Sequence, residues 1–150
     1  MKFFLPCFYA AMACLTFCIV FELHNVRHIL SASAAGGVGW LVYLLLENHS
    51  SGIRFLLATI VVALLAELLA RFYKAPATLF LIIGIIPLVP GGGMYYTMEA
   101  LLNRDMPLFV ERGLETATAA GAMAVGCSLV SSMARILTVW NRNRREEKTS

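Results

Sequence analysis

The sequence predicts an all-α polytopic integral membrane protein with about five transmembrane helices, the fourth broken near Pro87-Pro90-Gly91. Two observations of composition and one of order predict it. Hydrophobic residues fill 59% of the 150 positions and charged residues only 14%, where a soluble domain is about 45–50% apolar and about 25% charged. The mean hydropathy is +0.76. The apolar residues fall into long runs separated by short polar patches. A bilayer as solvent accounts for all three, because apolar side chains then face lipid as well as protein.

The first run extends from about Phe3 to Phe21, long enough to cross roughly 30 Å of hydrocarbon. Lys2 and Ala11-Met12-Ala13 imitate a signal peptide, but the apolar run continues well past that point and reads as an uncleaved span. A polar patch, Glu22 to His28, leads into a second run from about Ile29 to Leu46, small and Gly-rich in its first half. Glu47 to Gly52 is a polar turn. The third run, about Arg54 to Tyr73, ends in Arg71 and Lys74.

The fourth run reaches only from Pro76 to Pro90. Its length, about 22 Å as a helix, is short of a full span. Pro87 cannot donate to Ile83, and its ring crowds that carbonyl. Pro90-Gly91-Gly92-Gly93 is expected to be non-helical, with a short helix resuming over Met94 to Leu102. Asn103 to Arg112 is polar. The fifth run, about Leu114 to Trp140, is rich in small residues. Residues 1–140 thus form a transmembrane domain, and residues 141–150 a basic tail.

Five spans place four cations (Lys2, Arg54, Arg104, Arg112) on one side and seven (Arg27, Arg71, Lys74, Arg142, Arg144, Arg145, Lys148) on the other. The positive-inside rule then puts the C-terminus in the cytoplasm. Four spans, with the fourth run re-entrant, would leave five against six and turn the basic tail outward. The tail accounts for much of the net charge of +3, so the charge calls for membrane lipids as partner and no nucleic acid.

Little in the chain suggests an enzyme. Cys7, Cys14, Cys18 and Cys127 form no C-x-x-C pair and read as small apolar fillers facing lipid. His24 and His28 stand one helical turn apart but lack the glutamate of a zinc helix, and read as a solvated turn. No nucleophile–base set appears, and no metal, cofactor or catalytic residue is expected.

The segment Pro76 to Gly93 carries the strongest functional signal. Broken backbone at membrane depth must be buried in protein or line a wet cavity, and transporters bind polar substrates at such breaks. Pro87, Pro90, Gly91, Gly92 and Gly93, with Tyr95 and Tyr96 beside them, are therefore candidates to line a substrate pathway. Carbonyls freed near Ile83 and Gly84 would accept from an ammonium, and the glycine amides would donate to a carboxylate. The rival reading is an interfacial turn that ends the fourth helix. Glu67 and Arg71, spaced i, i+4 with the acid first, are candidates for proton coupling or for a simple interfacial ion pair. Glu99, Glu111 and Glu115 read as wet surface charges. Ser31, Ala35 and Gly39 recur every fourth position, as do Gly113, Ala117 and Gly121, and Thr118, Ala122 and Gly126. Such stripes let helices approach closely, and their presence on several faces of the fifth run suggests a partner subunit.

Ala70-Arg71-Phe72, Lys74-Ala75-Pro76, Ile86-Pro87-Leu88-Val89-Pro90-Gly91 and Tyr95 resemble the threonine/serine exporter family, and most closely the small component of its two-component bacterial form. The resemblance runs from roughly Ala11 to Ile136. It implies a component of a secondary, proton-coupled exporter of small hydroxyl-bearing amino acids, in the bacterial inner membrane. Related small carboxylates fit the same features. The family further implies a larger partner subunit that supplies the other membrane half and a soluble N-terminal region. An odd number of spans makes an inverted second five-helix unit natural. The alternative is a non-transporting structural or accessory membrane subunit, which the scarcity of deep ionisable residues would suit.

Overall fold

A computed structural model describes residues 4–146 apart from Glu22 and His24. The described residues fold into helices: α1 (Phe4–Val20), α2 (Val26–Leu45), α3 (Ser51–Tyr73), α4 (Ala77–Ile85), a 3-10 turn (Ile86–Leu88), α5 (Gly91–Leu102) and α6 (Met106–Glu146). Local chemistry sets several ends. Asn25 caps α2 by accepting from the Arg27 amide at 3.2 Å. Lys74 closes α3 in the left-handed conformation, just ahead of Pro76.

Contacts fix the direction of each pass. Gly36 of α2 lies beside Cys14 of α1, and Gly37 beside Ala11 and Cys7, so α1 and α2 are antiparallel. Gly39 faces Val62 while Ser31 Oγ shares a 2.8 Å hydrogen bond with the Tyr73 hydroxyl, so α2 and α3 are antiparallel as well. Gly84 of α4 meets Val62, and Tyr73 stacks on Phe80. α4 therefore returns along α3. Helix α6 runs parallel to α3, with Thr118 beside Gly52 and Gly126 beside Thr59. The chain thus begins α1 and ends α6 at opposite ends of the bundle.

Helices α2, α3 and the Met106–Leu137 part of α6 are each long and apolar enough to cross a membrane. Ala77–Leu88 and Gly91–Leu102 meet the same test together, bent by 47°. Helix α1, apolar over Leu5–Val20, is shorter. The all-α class and the break near Pro87-Pro90-Gly91 are as the sequence predicts.

Four local expectations are corrected here, and a fifth, at His28, below. The glycine run is helical: Gly91 to Gly93 form the first turn of α5, with no glycine at positive φ. First-turn residues need no intrahelical acceptor for their N–H groups, so Pro90 ahead of them is tolerated and starts the helix. Second, α6 begins at Met106, well before Leu114. Asp105 caps it by accepting from the Leu108 amide at 3.1 Å, with Pro107 in the first turn. At 41 residues, α6 is about 61 Å long. It stays helical to Glu146, into the basic tail. Third, Cys14 and Cys18 do not face lipid; both are fully buried with Ala32, Ala66, Phe80 and Ile83. Fourth, the Ile83 carbonyl released by Pro87 is not free: it accepts from the Ile86 amide and from Cys14 Sγ, the latter at 3.2 Å. Gly36, without a side chain, lets α1 come close enough for that bond.

Cys14→Ala is accordingly expected to destabilise the fold by about 1–2 kcal/mol, through a small cavity and a lost hydrogen bond. Thermal unfolding in detergent checks it. A melting temperature equal to that of the parent protein would show the thiol to be filler.

His28 packs edge-on against Tyr73 and Phe80, with ring centroids at 4.9 and 5.7 Å. It is therefore part of the bundle rather than a solvated turn, while His24, Lys2 and Lys148 lie outside the described residues.

Candidate functional site

Two prolines bend the chain and so build the site. Around Pro87 the helix tightens into the 3-10 turn, and after Pro90 a new helix starts in another direction. The Gly91 amide turns back onto the Val89 carbonyl at 2.7 Å, and the Met94 amide bonds to Pro90 at 3.1 Å. Gly92 and Gly93 lie between them, at first-turn positions whose N–H groups have no acceptor inside the helix. Both glycines line a cavity of about 350 Å³ at the end of the bundle where α3 begins.

One wall of this cavity is aromatic. Trp40 stacks on Tyr43 at 5.2 Å, and Tyr43 meets Phe55 at 4.8 Å. Arg54 holds the wall from behind, its guanidinium 4.2 Å from the centre of the Tyr43 ring and its Nε donating to the Tyr43 carbonyl at 3.3 Å. The Trp40 indole N–H is buried with no hydrogen-bond partner. The opposite wall is α6, with Arg112, Glu115 and Thr116. Arg112 Nη1 and Glu115 Oε2 form an ion pair at 3.5 Å, and both side chains stay about half exposed. The free amides at the start of a helix carry partial positive charge, and Arg112 adds a full one. Glu115 supplies the opposite sign within the same space.

Glu67 is not part of this constellation. It lies sixteen residues along α3 from Ser51, about 24 Å along the helix axis. It lines a second cavity, of about 420 Å³, with Thr78, Ser131 and Arg135. Glu67 and Arg71 form no ion pair within 4.0 Å, contrary to one reading of their spacing. Arg71 is exposed in the last turn of α3, where the helix dipole favours a cation without a partner.

A family model described as threonine/serine exporter, ThrE, matches residues 6–133. The chain belongs to the threonine/serine exporter family. No curated protein and no solved structure matches it. The match spans α1 through most of α6 and includes every residue lining the first cavity of this exporter-family chain, and all of those lining the second except Ala134 and Arg135. The family is one of transporters, not enzymes.

Of the pathway candidates named from sequence, Pro87, Pro90, Gly92, Gly93 and Tyr96 line the first cavity. Gly91 does not; it is exposed, and a Cβ placed there would meet nothing within 4 Å. Tyr95 is exposed as well and touches the cavity only through Tyr96, 5.4 Å away ring to ring. Trp40, Tyr43, Phe55, Arg112 and Thr116 were not legible as site residues, and Glu115 read as a surface charge. A signal did exist: the i, i+3 pair Arg112 and Glu115 stands at the head of an apolar run, behind the Asp105 helix start. Among the packing candidates, Ala35, Gly39 and Gly126 are buried between helices and Ser31 bonds to Tyr73. Gly121 is exposed with nothing within 4 Å, so it packs on no helix of this chain.

Proposed function

We propose that the chain is the small membrane component of a two-component secondary exporter. Its cargo is a small amino acid of the threonine/serine kind or a related small carboxylate. The observation that carries this reading is the cavity at the α4–α5 break. The Gly92 and Gly93 amides and the Arg112 guanidinium can hold a carboxylate, and Glu115 can hold an ammonium. A zwitterion needs both kinds of group.

Five crossings, by α1, α2, α3, the bent α4–α5 unit and α6, agree with termini at opposite ends of the bundle. The excess of cations at the α6 end favours a cytoplasmic C-terminus in a bacterial inner membrane. The first cavity then lies at the outer end and the Glu67 cavity at the inner end. Glu67, with Arg135 in the same cavity and Arg71 one turn on, is the candidate for proton coupling. Ala117 and Gly121 lie exposed on α6 and leave room for helices of a larger subunit of the same family.

Deleting this chain from its host, with other genes intact, is expected to make preloaded radiolabelled threonine and serine leave the cells more slowly. Arg112→Ala at normal membrane level should reproduce the defect, with efflux reduced about tenfold or more, the scale of one lost charge-assisted hydrogen bond. Unchanged efflux in the deletion strain, across a panel of small carboxylates as well, would leave the accessory-subunit reading in its place.

A further inference from the structure

Both polar cavities are flanked by the same two parallel helices. The outer one touches α3 at Ser51 and Phe55, and α6 at Glu115 and Thr116. The inner one touches α3 at Ala63 and Glu67, and α6 at Ser131 and Arg135. Phe55, Thr59 and Ala63 follow one another at intervals of four on a single face of α3. Thr59 is therefore about 6 Å below the outer cavity and about 6 Å above the inner one. There the seam is closed: Thr59 is 0% exposed, and Ala58, Val62, Met123 and Gly126 around it are buried.

Thr59 differs from the other helical threonines with assigned bonds. Thr16, Thr97, Thr116 and Thr118 each donate to the carbonyl four residues back, at 2.7–3.1 Å. The Thr59 hydroxyl is buried and makes no hydrogen bond. Packing alone does not call for it, since valine has nearly the same shape and no polar atom to leave unsatisfied. Gly126 stands directly opposite: a Cβ there would lie 3.3 Å from Thr59 Cβ and 3.2 Å from the Leu56 carbonyl. The closest approach of α6 to α3 thus falls at the one unpaired hydroxyl on the line joining the two cavities.

We infer that the solute crosses along the α3–α6 seam, and that the Thr59 hydroxyl is its hydrogen-bond partner at the narrowest point, where Gly126 brings the two helices into close contact. The inference rests on the exporter reading above and adds the route and a residue on it. The ligand class is a small polar solute carrying hydrogen-bonding groups; an ion without them would gain less from a single hydroxyl. Opening requires α3 and α6 to part by a side chain's width at Thr59, and loss of the hydroxyl leaves the solute unsolvated there.

The test replaces the chromosomal copy by Thr59→Val or Thr59→Ser and follows efflux of radiolabelled threonine and serine at matched membrane levels, with thermal unfolding of each purified chain in detergent. Thr59→Val is expected to unfold at the parent's temperature or above it, yet to export about tenfold more slowly, the scale of one hydrogen bond. Thr59→Ser should restore most of that loss. Parental efflux by Thr59→Val, in cells where Arg112→Ala is defective, would overturn the seam and leave the exporter reading standing. Absence of threonine, serine or small-carboxylate efflux from the parent strain would overturn both.

Discussion

Gly93→Leu is expected to lower efflux at least about tenfold, while Gly91→Ala, two residues earlier, changes it less than about twofold. Both positions belong to one glycine run, and sequence alone treats them alike. In the fold, a Cβ on Gly93 would meet Thr116 Oγ1 at 2.5 Å and its Cβ at 3.4 Å. Thr116 is β-branched and stiff, and its hydroxyl is already bonded to the Arg112 carbonyl at 2.8 Å. It cannot swing aside without giving up that bond. A leucine therefore pushes α5 off α6 at the point where the free amides and Arg112 share a cavity. Overpacking of this kind costs about 1–3 kcal/mol, enough to misplace groups that must reach one solute together. At Gly91 the added methyl enters open space, and the amide, bonded to Val89, has no part in the cavity. Efflux of labelled threonine, normalised to membrane level, separates the two. Equal behaviour of the variants would mean that the break acts as an interfacial turn and not as a site wall.

The largest effect on the amount of folded protein is expected at Gly39. A Cβ there would overlap Val62 Cγ2, and one on Gly84 would come within 2.7 Å of Val62 Cγ1. Val62 is fully buried where α2, α3 and α4 cross, packed with Phe55, Ala58 and Leu88. In lipid no hydrophobic force drives helices together, so close approach of backbones supplies much of the association. Gly39→Val forces α2 away from α3 and is expected to cost about 3 kcal/mol, the upper part of the overpacking range. Folded protein recovered by size-exclusion in mild detergent should fall several-fold. The smaller change Gly39→Ala should cost less and be partly rescued by Val62→Ala, because the two side chains contend for one space. Gly121→Ala, with nothing within 4 Å, is the comparison and should leave recovery unchanged. A Gly39→Val protein as abundant and as heat-stable as Gly121→Ala would refute the crossing.

These expectations divide along what each level of information carries. The run lengths, the small-residue stripes and the position of Pro87 are one-dimensional properties. Lipid rewards apolar length directly, and a missing amide breaks a helix wherever it occurs. The all-α class, the helices α1 to α4 and the break at Pro87-Pro90 follow from them. So does the resemblance to the exporter family, read at Lys74-Ala75-Pro76 and Ile86 to Gly91, which the family match over residues 6–133 bears out.

Which side of each helix is inside did not follow. A soluble helix marks its buried face by contrast with polar residues, whereas a membrane helix is apolar on both faces and loses that contrast. Cys14 and Phe8 therefore look alike in sequence, though one is fully buried against Ile83 and the other half exposed. The same loss hid the difference between Gly39 and Gly121, and between Gly93 and Gly91. Only the parallel pairing of α3 with α6 brings Arg112 and Glu115 to the break and carries Glu67 to the far end of the bundle. The sequence by itself determined that this chain crosses a membrane and where its fourth helix breaks. The tertiary structure decided which side chains meet at that break, because contacts between helices set by close packing leave no periodic trace where the lipid-facing and the buried sides of a helix are both apolar.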